Sequence, residues 1–480
     1  SARAMRDRLE HFDPNLVITA DAYYRRGGLV SIKEKVDEAI SELKNLRGVI
    51  VVRRGDTGVF MQAGRDSWWH DLISGVEREC PAEPLEANDP GLVFYTSGTT
   101  GKPKGVVLAG NGFAVGNYVY AKYHMDHHEH DVLWCTADIG WVTSTIWGIA
   151  GALANGVTTL YYEGAIDYPD SSRFYEIISR YRVNKLFTAS TVLRMLMRFG
   201  DSPMDGLDTS CLEVIALVGE PLNPAAWHWA WEVLGNRRIY INNTWGQTEA
   251  GGSPLSGAAW ITSMKPGSCA KPFLGVKADI VDIDGQSLIP GEEGYLILRQ
   301  PTPAMLRSLW KQPERMEKEY FSQIPNAYFT YDKAVRDSDG HFWVLGRADD
   351  VINVAGHRLS TMEMESALME HEGVAEAAVI GVHDPIKGMI PAAFITLRAG
   401  YCPSADIEIE IREQIIARIG KFGQLGPIYF TESLPKTPSG KILRRLLREL
   451  TATSEVKGDQ SGVEDPDVIE KLRTLLDKKS

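Results

Sequence analysis

The sequence predicts an α/β protein, with a large N-terminal domain of βαβ subdomains and a small C-terminal α+β domain. The first observation is that helical stretches at 31–46 and 172–181 precede apolar, strand-like runs at 48–53 and 184–188. Strands that alternate with helices favour a largely parallel sheet. The same alternation continues with strand-like runs at 212–218 and 238–242.

The second observation is that the sequence pattern changes between residues 268 and 298. Short runs of alternating apolar and polar residues are separated there by Asp-Gly and Pro-Gly pairs. Such pairs are typical of tight turns between antiparallel strands. We therefore expect a small, β-barrel-like part near the end of the N-terminal domain.

The third observation concerns the residues after 350. An amphipathic helix at 360–372 is followed by strand-like runs at 375–382 and 392–400, and then by helices at 405–420 and 440–450. These elements are enough for a compact α+β domain. We expect an N-terminal domain over residues 1–346, a hinge over 347–350, and a C-terminal lid domain over 351–480.

Composition narrows the class of protein further. The chain has 480 residues, 44% hydrophobic and 24% charged, as in ordinary globular proteins. Its net charge of −12 argues against binding to nucleic acid or to anionic membranes. The five cysteines are scattered and form no C-x-x-C pair, which predicts a reduced, cytoplasmic compartment. The chain start looks truncated, so an organellar targeting segment stays open as an alternative.

One uncharged stretch, 139–162, is long enough to span a membrane. It contains four glycines, several hydroxyl residues and Asn155, and it ends in a β-rich run. We interpret it as a buried helix followed by a buried strand, and expect no membrane partner.

The strongest motif is YTSGTTGKPKG at 95–105, which follows one apolar run and precedes another. Hydroxyls, small residues and closely spaced backbone N–H groups let phosphate oxygens approach. Lys102 and Lys104 add positive charge. It is not a Walker A loop, because Pro103 follows Lys102. The motif predicts a phosphate-binding loop, and the alternative is an ordinary surface loop.

A second motif, NNTWGQTE at 242–249, follows a predicted strand, as does VGEP at 218–221. Open α/β sheets bind ligands at the carboxyl ends of their strands. Glu249 is suited to Mg²⁺ beside phosphates, since that ion takes few carboxylates together with phosphate oxygens. The alternative is a capped turn.

Two further segments carry charged residues in loops. One is 346–358 with Asp332 upstream, and the other is LPKTPSGKI at 434–442, where Lys441 precedes a basic helix. Taken alone, such residues are as often solvated surface charges. Their order and spacing relative to the first two motifs give them more weight.

Together, these four segments resemble the adenylate-forming superfamily of acyl-CoA synthetases, luciferases and peptide-synthetase adenylation domains. The runs TADIGWVTS, VGEPLNPAAW and VINVAGHRLSTMEMESAL are most similar to the acetyl-CoA synthetase branch. The resemblance covers nearly the whole of this chain. Full-length members of the family have about 150 further residues at their start, and these include a segment that helps bind CoA. The reason for the missing segment stays open: the chain is cropped, or a partner chain supplies the segment. A homo-oligomer is a further alternative.

The resemblance implies an AMP-forming acyl-CoA synthetase that uses ATP, CoA, Mg²⁺ and a small carboxylic acid. The acid attacks the α-phosphate of ATP to give acyl-AMP and pyrophosphate, and CoA then displaces AMP. Two anions must meet, so cations and N–H donors matter more than a nucleophilic side chain.

The resemblance also implies roles for individual residues. Catalytic roles fall to Lys441 during adenylation, to Glu249 as the Mg²⁺ ligand, and to Thr248 at the α-phosphate. The β- and γ-phosphates are held by Thr96, Ser97, Gly98, Thr99, Thr100, Gly101 and Lys102. The remaining nucleotide-binding residues are Gly219, Glu220 and Pro221 along adenine, Asn243 at its amino edge, Thr244, Trp245 and Gln247, Asp332 at the ribose with Arg347 nearby, and Arg358 at phosphate. The branch typically has Asp where this chain has Asn243.

For the second half-reaction, the resemblance implies a CoA path along Gly356 and His357. It also implies a hinge at Asp349, about which the C-terminal domain swings so that one face serves each half-reaction.

The acyl pocket implied by the resemblance contains Trp141, Val142, Thr143, Val218 and Gly246. Acetate-using members typically read WWQTE, and their second tryptophan closes this pocket. Here Gly246 takes its place, so we expect an acid larger than acetate, unless Trp147 or another bulky group refills the space. The alternatives are an acetyl- or propionyl-CoA synthetase, an enzyme that loads a carrier protein, and a silent nucleotide-binding scaffold.

Two other clusters have more ordinary interpretations. The histidines at 124, 127, 128 and 130 raise the alternative of a metal site, but the segment has no Cys and precedes a strand. We interpret residues 68–71 (WWHD) as packing rather than as a catalytic dyad.

Overall fold

A computed structural model gives the fold. The described residues are 2–97, 103–200, 202–348, 351–354, 357–384, 388–420, 423–437, 440–453, 455–456, 460 and 462–477. Several predicted site residues lie outside them: Gly98, Thr99, Thr100, Gly101, Lys102, Asp349 and Gly356. For Ser97, His357 and Arg358 only the backbone is described.

The chain begins with a small three-stranded parallel sheet, in the order β1-β4-β5, and a β2–β3 hairpin. Val36 and Ile40 pack on Val49 and Val51, which gives this sheet its own core. The elements are α1 (Ala2–Phe12), β1 (Leu16–Ala20), β2 (Ala22–Arg25), β3 (Gly28–Ser31), α2 (Lys33–Ile40), β4 (Gly48–Val52), β5 (Asp66–Trp68) and α3 (Trp69–Ile73).

An antiparallel hairpin follows, made of β6 (Pro90–Ser97) and β7 (Pro103–Ala109), and it leads into α4 (Gly110–His124). The two ends of the predicted phosphate-binding motif, 95–97 and 103–105, therefore lie on these two strands. Thr96 pairs with Lys104 across the hairpin.

The centre of the protein is a five-stranded parallel sheet in the order β12-β11-β10-β8-β9, as the alternation predicted. Its strands are apolar because both faces are covered. The elements are β8 (Val132–Cys135), a π-helix (Ser144–Gly151), α5 (Ala152–Ala154), β9 (Thr158–Leu160), α6 (Arg173–Tyr181), β10 (Lys185–Ala189), α7 (Ser190–Phe199), a 3₁₀ turn (Ser202–Met204), β11 (Val214–Val218), α8 (Pro224–Trp229), a second π-helix (Ala230–Leu234) and β12 (Tyr240–Asn243).

The uncharged stretch at 139–162 forms the first π-helix, α5 and β9. Strand β9 lies at the sheet edge, and Thr158 is exposed, so the expectation of a fully buried strand is wrong there. Within the part of the chain that the structure describes, no helix has the length and apolar character needed to cross a membrane.

Antiparallel structure follows, as expected. β15, β16, β18 and β19 form one sheet, β13 pairs with β14, and β17 adds to β7. The elements are β13 (Trp245–Gln247), a 3₁₀ turn (Thr248–Ala250), β14 (Gly252–Leu255), β15 (Ala278–Val281), β16 (Glu293–Leu298), β17 (Ser308–Leu309), α9 (Pro313–Tyr320), β18 (Tyr328–Arg336) and β19 (Phe342–Arg347).

The C-terminal part is a sheet with helices on both faces. Alternate residues of its long strand β22 point to opposite faces: Ala377 and Val379 join one core, and Ala378 and Ile380 join the other. The elements are β20 (Val351–Val354), β21 (His357–Ser360), α10 (Thr361–Met369), β22 (Val374–Asp384), β23 (Gly388–Leu397), α11 (Ala405–Ile419), β24 (Ile428–Phe430), α12 (Arg444–Thr453) and α13 (Asp467–Asp477).

Candidate active site

Three neighbouring strands of the parallel sheet end at the same edge. Val218 on β11 lies beside Ala189 on β10, and Asn243 on β12 lies beside Leu217 on β11. The segments that follow these strands therefore meet at one place, where open α/β sheets bind ligands. Gly219 opens its segment with a φ of +101°, a conformation that favours glycine.

Asn243 is buried at the end of β12. Its Nδ2 donates to the carbonyl oxygen of Gly267 at 3.2 Å and lies 3.5 Å from Sγ of Cys269. Its Oδ1 is buried without a hydrogen-bond partner among the described residues. A buried acceptor of this kind fits a donor such as the amino group of adenine.

Asp332 lies on β18, opposite Arg347 on β19. Its Oδ2 accepts from Nε1 of Trp245 at 3.0 Å and from Nε2 of Gln247 at 2.7 Å. Burial raises the pKa of Asp332 to about 6, although Arg347, Trp245, Lys441 and Gln247 all act in the opposite direction. The structure thus places Trp245 and Gln247 as donors to the predicted ribose-binding carboxylate.

Gln247 is also fixed from its other side. Its Oε1 accepts from the hydroxyl of Tyr328, and its Nε2 donates to the carbonyl oxygen of Thr330, both at 2.8 Å. Tyr328 was not predicted from the sequence, because it lies more than eighty residues away in the chain.

Glu249 lies just before β14, in the 3₁₀ turn that also holds the half-buried Thr248. Its Oε1 is 2.8 Å from Nζ of Lys104 and accepts from the hydroxyl of Tyr320, also at 2.8 Å. Lys104 and Tyr320 are themselves hydrogen-bonded. Burial opposes ionisation, but Lys104 and Tyr320 hold the pKa of Glu249 below its usual range.

An ionised, largely buried carboxylate that already contacts one cation suits a divalent metal ion. Mg²⁺ prefers one or two carboxylates and completes its shell with phosphate oxygens and water. Thr96, opposite Lys104 on the hairpin, has a buried Oγ1 without a hydrogen-bond partner in the described part of the chain. Glu249, Lys104 and Thr96 together therefore fit a magnesium–phosphate group.

Lys441 comes to the same edge from the C-terminal part. Its backbone N–H donates to Oγ1 of Thr437 at 3.1 Å, and Thr437 N–H donates back to its carbonyl oxygen at 2.9 Å. Its side chain is exposed, and its charge acts on Asp332. The structure thus brings Lys441 near the predicted ribose site.

The predicted acyl-pocket residues differ in their surroundings. Trp141 is exposed, while Val142 and Thr143 are half-buried ahead of the first π-helix. Trp147, which was considered as a group that could refill this pocket, stacks on Phe187 with ring centroids 4.7 Å apart and is buried in the main core, against which Val142 and Val218 also pack.

Gly246 lies on β13, where the pairing with β14 is irregular. A Cβ atom at this position would lie 2.2 Å from the carbonyl oxygen of Gly252. Backbone therefore occupies the direction in which a side chain would point. A side chain at position 246 would therefore need β13 and β14 to move apart.

The remaining predicted residues lie near the same edge. Glu220 is held by the α7 side chain of Arg194 at 2.6 Å, Pro221 is half-buried, and Thr244 is buried and accepts from Ser253. Thr191 and Arg194 were not predicted. The rule that singled out the segments 242–249 and 218–221, which follow predicted strands, also applies to the residues after β10 and would have included Thr191.

The histidines at 124–130 contact different neighbours. Within the described ranges, no three His, Cys, Asp or Glu side chains are arranged to hold a metal ion. His124 is buried against Asn242, and His128 stacks on His130. Trp68 packs under the guanidinium of Arg53, but Trp69, His70 and Asp71 are exposed and Nε2 of His70 lies 3.3 Å from Oδ1 of Asp71, so the packing interpretation fits Trp68 only.

Comparisons with known proteins give the family of the chain. The AMP-binding enzyme family matches residues 1–310, and the AMP-binding enzyme C-terminal domain matches residues 363–441. The acetyl-coenzyme A synthetase of Pyrobaculum arsenaticum is 45% identical over 483 residues, covering 100% of this chain and 72% of that protein. That of Escherichia coli K12 is 43% identical, covering 98% of this chain and 73% of that protein.

Solved structures share the fold. Acetoacetyl-CoA synthetase from Streptomyces lividans has a TM-score of 0.85 at 23% identity, covering 100% of this chain and 73% of that chain. An anthranilate CoA ligase in complex with anthranoyl-AMP has a TM-score of 0.82 at 25% identity, covering 95% and 81%. These matches confirm the predicted α/β fold with a large N-terminal and a small C-terminal domain. The chain belongs to the AMP-binding enzymes, as an AMP-forming acyl-CoA synthetase of the adenylate-forming superfamily.

Proposed function

We propose that this chain joins a carboxylic acid to CoA in two steps, with acyl-AMP as the intermediate. The observation that carries the proposal is the meeting of Asn243, Asp332, Glu249 and Lys441 at one edge of the parallel sheet. MgATP requires a hydrogen-bond acceptor for adenine, a carboxylate for the ribose, and charges of both signs for the phosphates and their metal ion.

Within this site, we assign Mg²⁺ to Glu249. When bound, the ion would neutralise charge on the phosphates and leave the α-phosphate open to attack. In the structure, Lys104 takes the cationic position at this carboxylate. We infer that Lys104 turns toward the phosphates when nucleotide binds, so that Mg²⁺ replaces Lys104 as the cation beside Glu249.

Lys441 supplies the charge that brings the acid and the α-phosphate together. It lies on a loop of the C-terminal domain, so its position depends on how that domain is docked. We propose the domains as 1–346 and 351–480, with 347–350 and Asp349 as the hinge. Gly356 and His357 line the path of CoA in the second step, and Arg358 then contacts phosphate.

For the acid, we propose a substrate larger than acetate. Gly246 carries no side chain, and Trp147 is held in the core by Phe187 and His124, at ring-centroid distances of 4.7 and 4.5 Å. Neither position therefore supplies an indole to close the pocket. The second candidate is acetate, because relatives 42–45% identical to this chain are acetyl-coenzyme A synthetases.

The test is acid-dependent exchange of pyrophosphate into ATP, followed by thioester formation with CoA. Acetate, propionate, butyrate, hexanoate and benzoate are compared by kcat/KM. A larger acid as the best substrate supports the proposal, and a preference for acetate supports the second candidate. If no acid drives exchange, the adenylation proposal fails. If exchange occurs but CoA is not acylated, a carrier protein becomes the acceptor to test.

A further inference from the structure

The loop that carries Lys441 rests on the first turn of α7. Oγ1 of Thr191 lies 3.0 Å from the carbonyl oxygen of Gly440, and the hydroxyl donates. Gly440 has a φ of +84°, and a Cβ atom there would lie 2.8 Å from Cβ of Thr191. The residue before Lys441 can therefore approach α7 this closely only because it is glycine.

Arg194, one turn further along α7, is buried and has two acceptors. Its Nη2 donates to Oε1 of Glu220 at 2.6 Å and to Oγ1 of Thr191 at 3.0 Å. Thr191 is also within hydrogen-bonding reach of the Glu220 carboxylate. A hydroxyl has one proton, so Thr191 donates either to Glu220 or to Gly440. Arg194 donates both to the Glu220 carboxylate and to Oγ1 of Thr191, so it holds the hydroxyl in place between Glu220 and the carbonyl oxygen of Gly440.

Carboxylates of the C-terminal domain complete this cluster. Burial lowers the pKa of Arg194, but Glu220, Glu376 and Glu365 outweigh it and raise the pKa. Glu376 and Glu365 are in turn bound by residues on either side of the Lys441 loop, Lys436 at 2.6 Å and Arg444 at 2.8 Å. The buried guanidinium thus faces carboxylates from both domains.

We propose that Thr191 and Arg194 are positioning residues that hold the Lys441 loop on the nucleotide-binding edge, and so serve the adenylation step. Arg194 holds the Thr191 side chain beside the carbonyl oxygen of Gly440, and this contact fixes the backbone from which the Lys441 side chain extends. The inference rests on the proposed function, because the proposed function is what assigns Lys441 a role in acyl-AMP formation.

The experiment measures the two half-reactions separately in Arg194→Gln and Thr191→Val. The probe is whichever of acetate, propionate, butyrate, hexanoate and benzoate the wild type adenylates fastest, with its own synthetic acyl-AMP for the second step. We expect both variants to lose at least about tenfold in pyrophosphate exchange, as for a lost charge-assisted or buried hydrogen bond. Thioester formation from supplied acyl-AMP should stay within about threefold of wild type, as for a variant without structural damage.

Two matched variants serve as controls. Thr191→Ser keeps the hydroxyl and should retain exchange. Arg198→Gln removes a cation from the next turn of α7, where the side chain is exposed, and should leave both steps unchanged. Thr191→Val is close in size to threonine, so it keeps the test open if Arg194→Gln does not fold.

The outcomes separate this inference from the proposed function. If the wild type exchanges pyrophosphate but Thr191→Val loses both half-reactions equally, or neither, the positioning role is wrong. Equal losses in Thr191→Ser and Thr191→Val would also overturn it, because the hydroxyl would not matter. If the wild type itself shows no acid-dependent exchange, the proposed function fails first.

Discussion

Nζ of Lys104 lies 2.8 Å from Oε1 of Glu249, and both side chains are largely buried. The two residues come from distant elements, the β6–β7 hairpin and the turn before β14. A second donor, Tyr320 from α9, completes the carboxylate's surroundings. The carboxylate that we assign to Mg²⁺ is therefore neutralised by the protein itself before any ligand binds.

Removing the cation of this pair should destabilise the protein. Lys104→Met leaves the Glu249 carboxylate buried with Tyr320 as its remaining donor, which should cost about 3 kcal/mol of unfolding free energy. Urea denaturation at neutral pH measures it. Tyr320→Phe removes one hydrogen bond and should cost only about 1 kcal/mol.

The double variant Lys104→Met with Glu249→Gln serves as the control. Because it removes the unpaired charge, it should be more stable than Lys104→Met alone. If the losses of Lys104→Met and of Glu249→Gln, each measured alone, add up in the double variant, the residues do not interact and the pair does not form in solution.

Asp332 should make stability depend on pH in an unusual direction. Its folded-state pKa of about 6 is above the ordinary value of 3.8, so the folded protein favours the protonated form. The stability this contributes is present at low pH and is lost as pH rises through about 6. Asp332→Asn is uncharged throughout, so its stability relative to wild type should increase by up to about 3 kcal/mol between pH 4 and pH 7.

Thermal unfolding without ligands at a series of pH values measures this difference. Asp284→Asn, in an exposed turn, is the matched control and should show no such trend. A difference between Asp332→Asn and wild type that stays constant with pH would mean that Asp332 does not titrate in this range.

The unpartnered Oδ1 of Asn243 predicts selectivity for the adenine amino group. Asn243→Ala should lower kcat/KM for ATP by about tenfold, the cost of one buried hydrogen bond to the base. ITP carries an oxygen in place of that amino group, so its kcat/KM should change little. The ratio of the two substrates in pyrophosphate exchange is the measurement.

Asn243→Asp is the comparison variant, because it keeps an acceptor at this position. It should retain the preference for ATP over ITP. An Asn243→Ala protein with wild-type selectivity would show that adenine does not meet this residue.

Patterns in the sequence predicted the order of the elements well, because they depend on local periodicity. The run at 48–53 became β4 and the helix at 405–420 became α11, each within about a residue or two. The exposed edge strand β9 was misjudged, since apolar residues mark burial only when a neighbouring strand covers them.

Partnerships within the site were harder to predict. Glu249 was recognised from its motif, but its contacts with Lys104 and Tyr320 depend on how β17 adds to β7 and brings α9 to the site. No local pattern encodes that packing. Gly246 is a second example. The sequence shows that this position has no side chain, but it does not show that the backbone of Gly252 lies where a side chain would point.

Lys441 should matter for one half-reaction only. Lys441→Ala should reduce acyl-AMP formation by at least about a hundredfold, since a charge at the reacting groups is worth about 3 kcal/mol or more. Thioester formation from supplied acyl-AMP should be largely kept. Equal losses in the two steps, measured by pyrophosphate exchange and by CoA consumption, would contradict this role.

The last prediction concerns the backbone at Gly246. Even Gly246→Ala places a Cβ atom 2.2 Å from the carbonyl oxygen of Gly252, so β13 and β14 must separate. We expect a loss of about 1–3 kcal/mol in unfolding free energy, as for overpacked sites. Gly75→Ala, where a Cβ meets no atom within 4 Å, is the control and should change stability by less than about 0.5 kcal/mol.

Gly246→Ala should also change the ranking of acids in the exchange assay, because this strand borders the proposed acyl pocket. A Gly246→Ala protein as stable as Gly75→Ala would show that the strands are farther apart in solution, and the pocket would then have room for a side chain here.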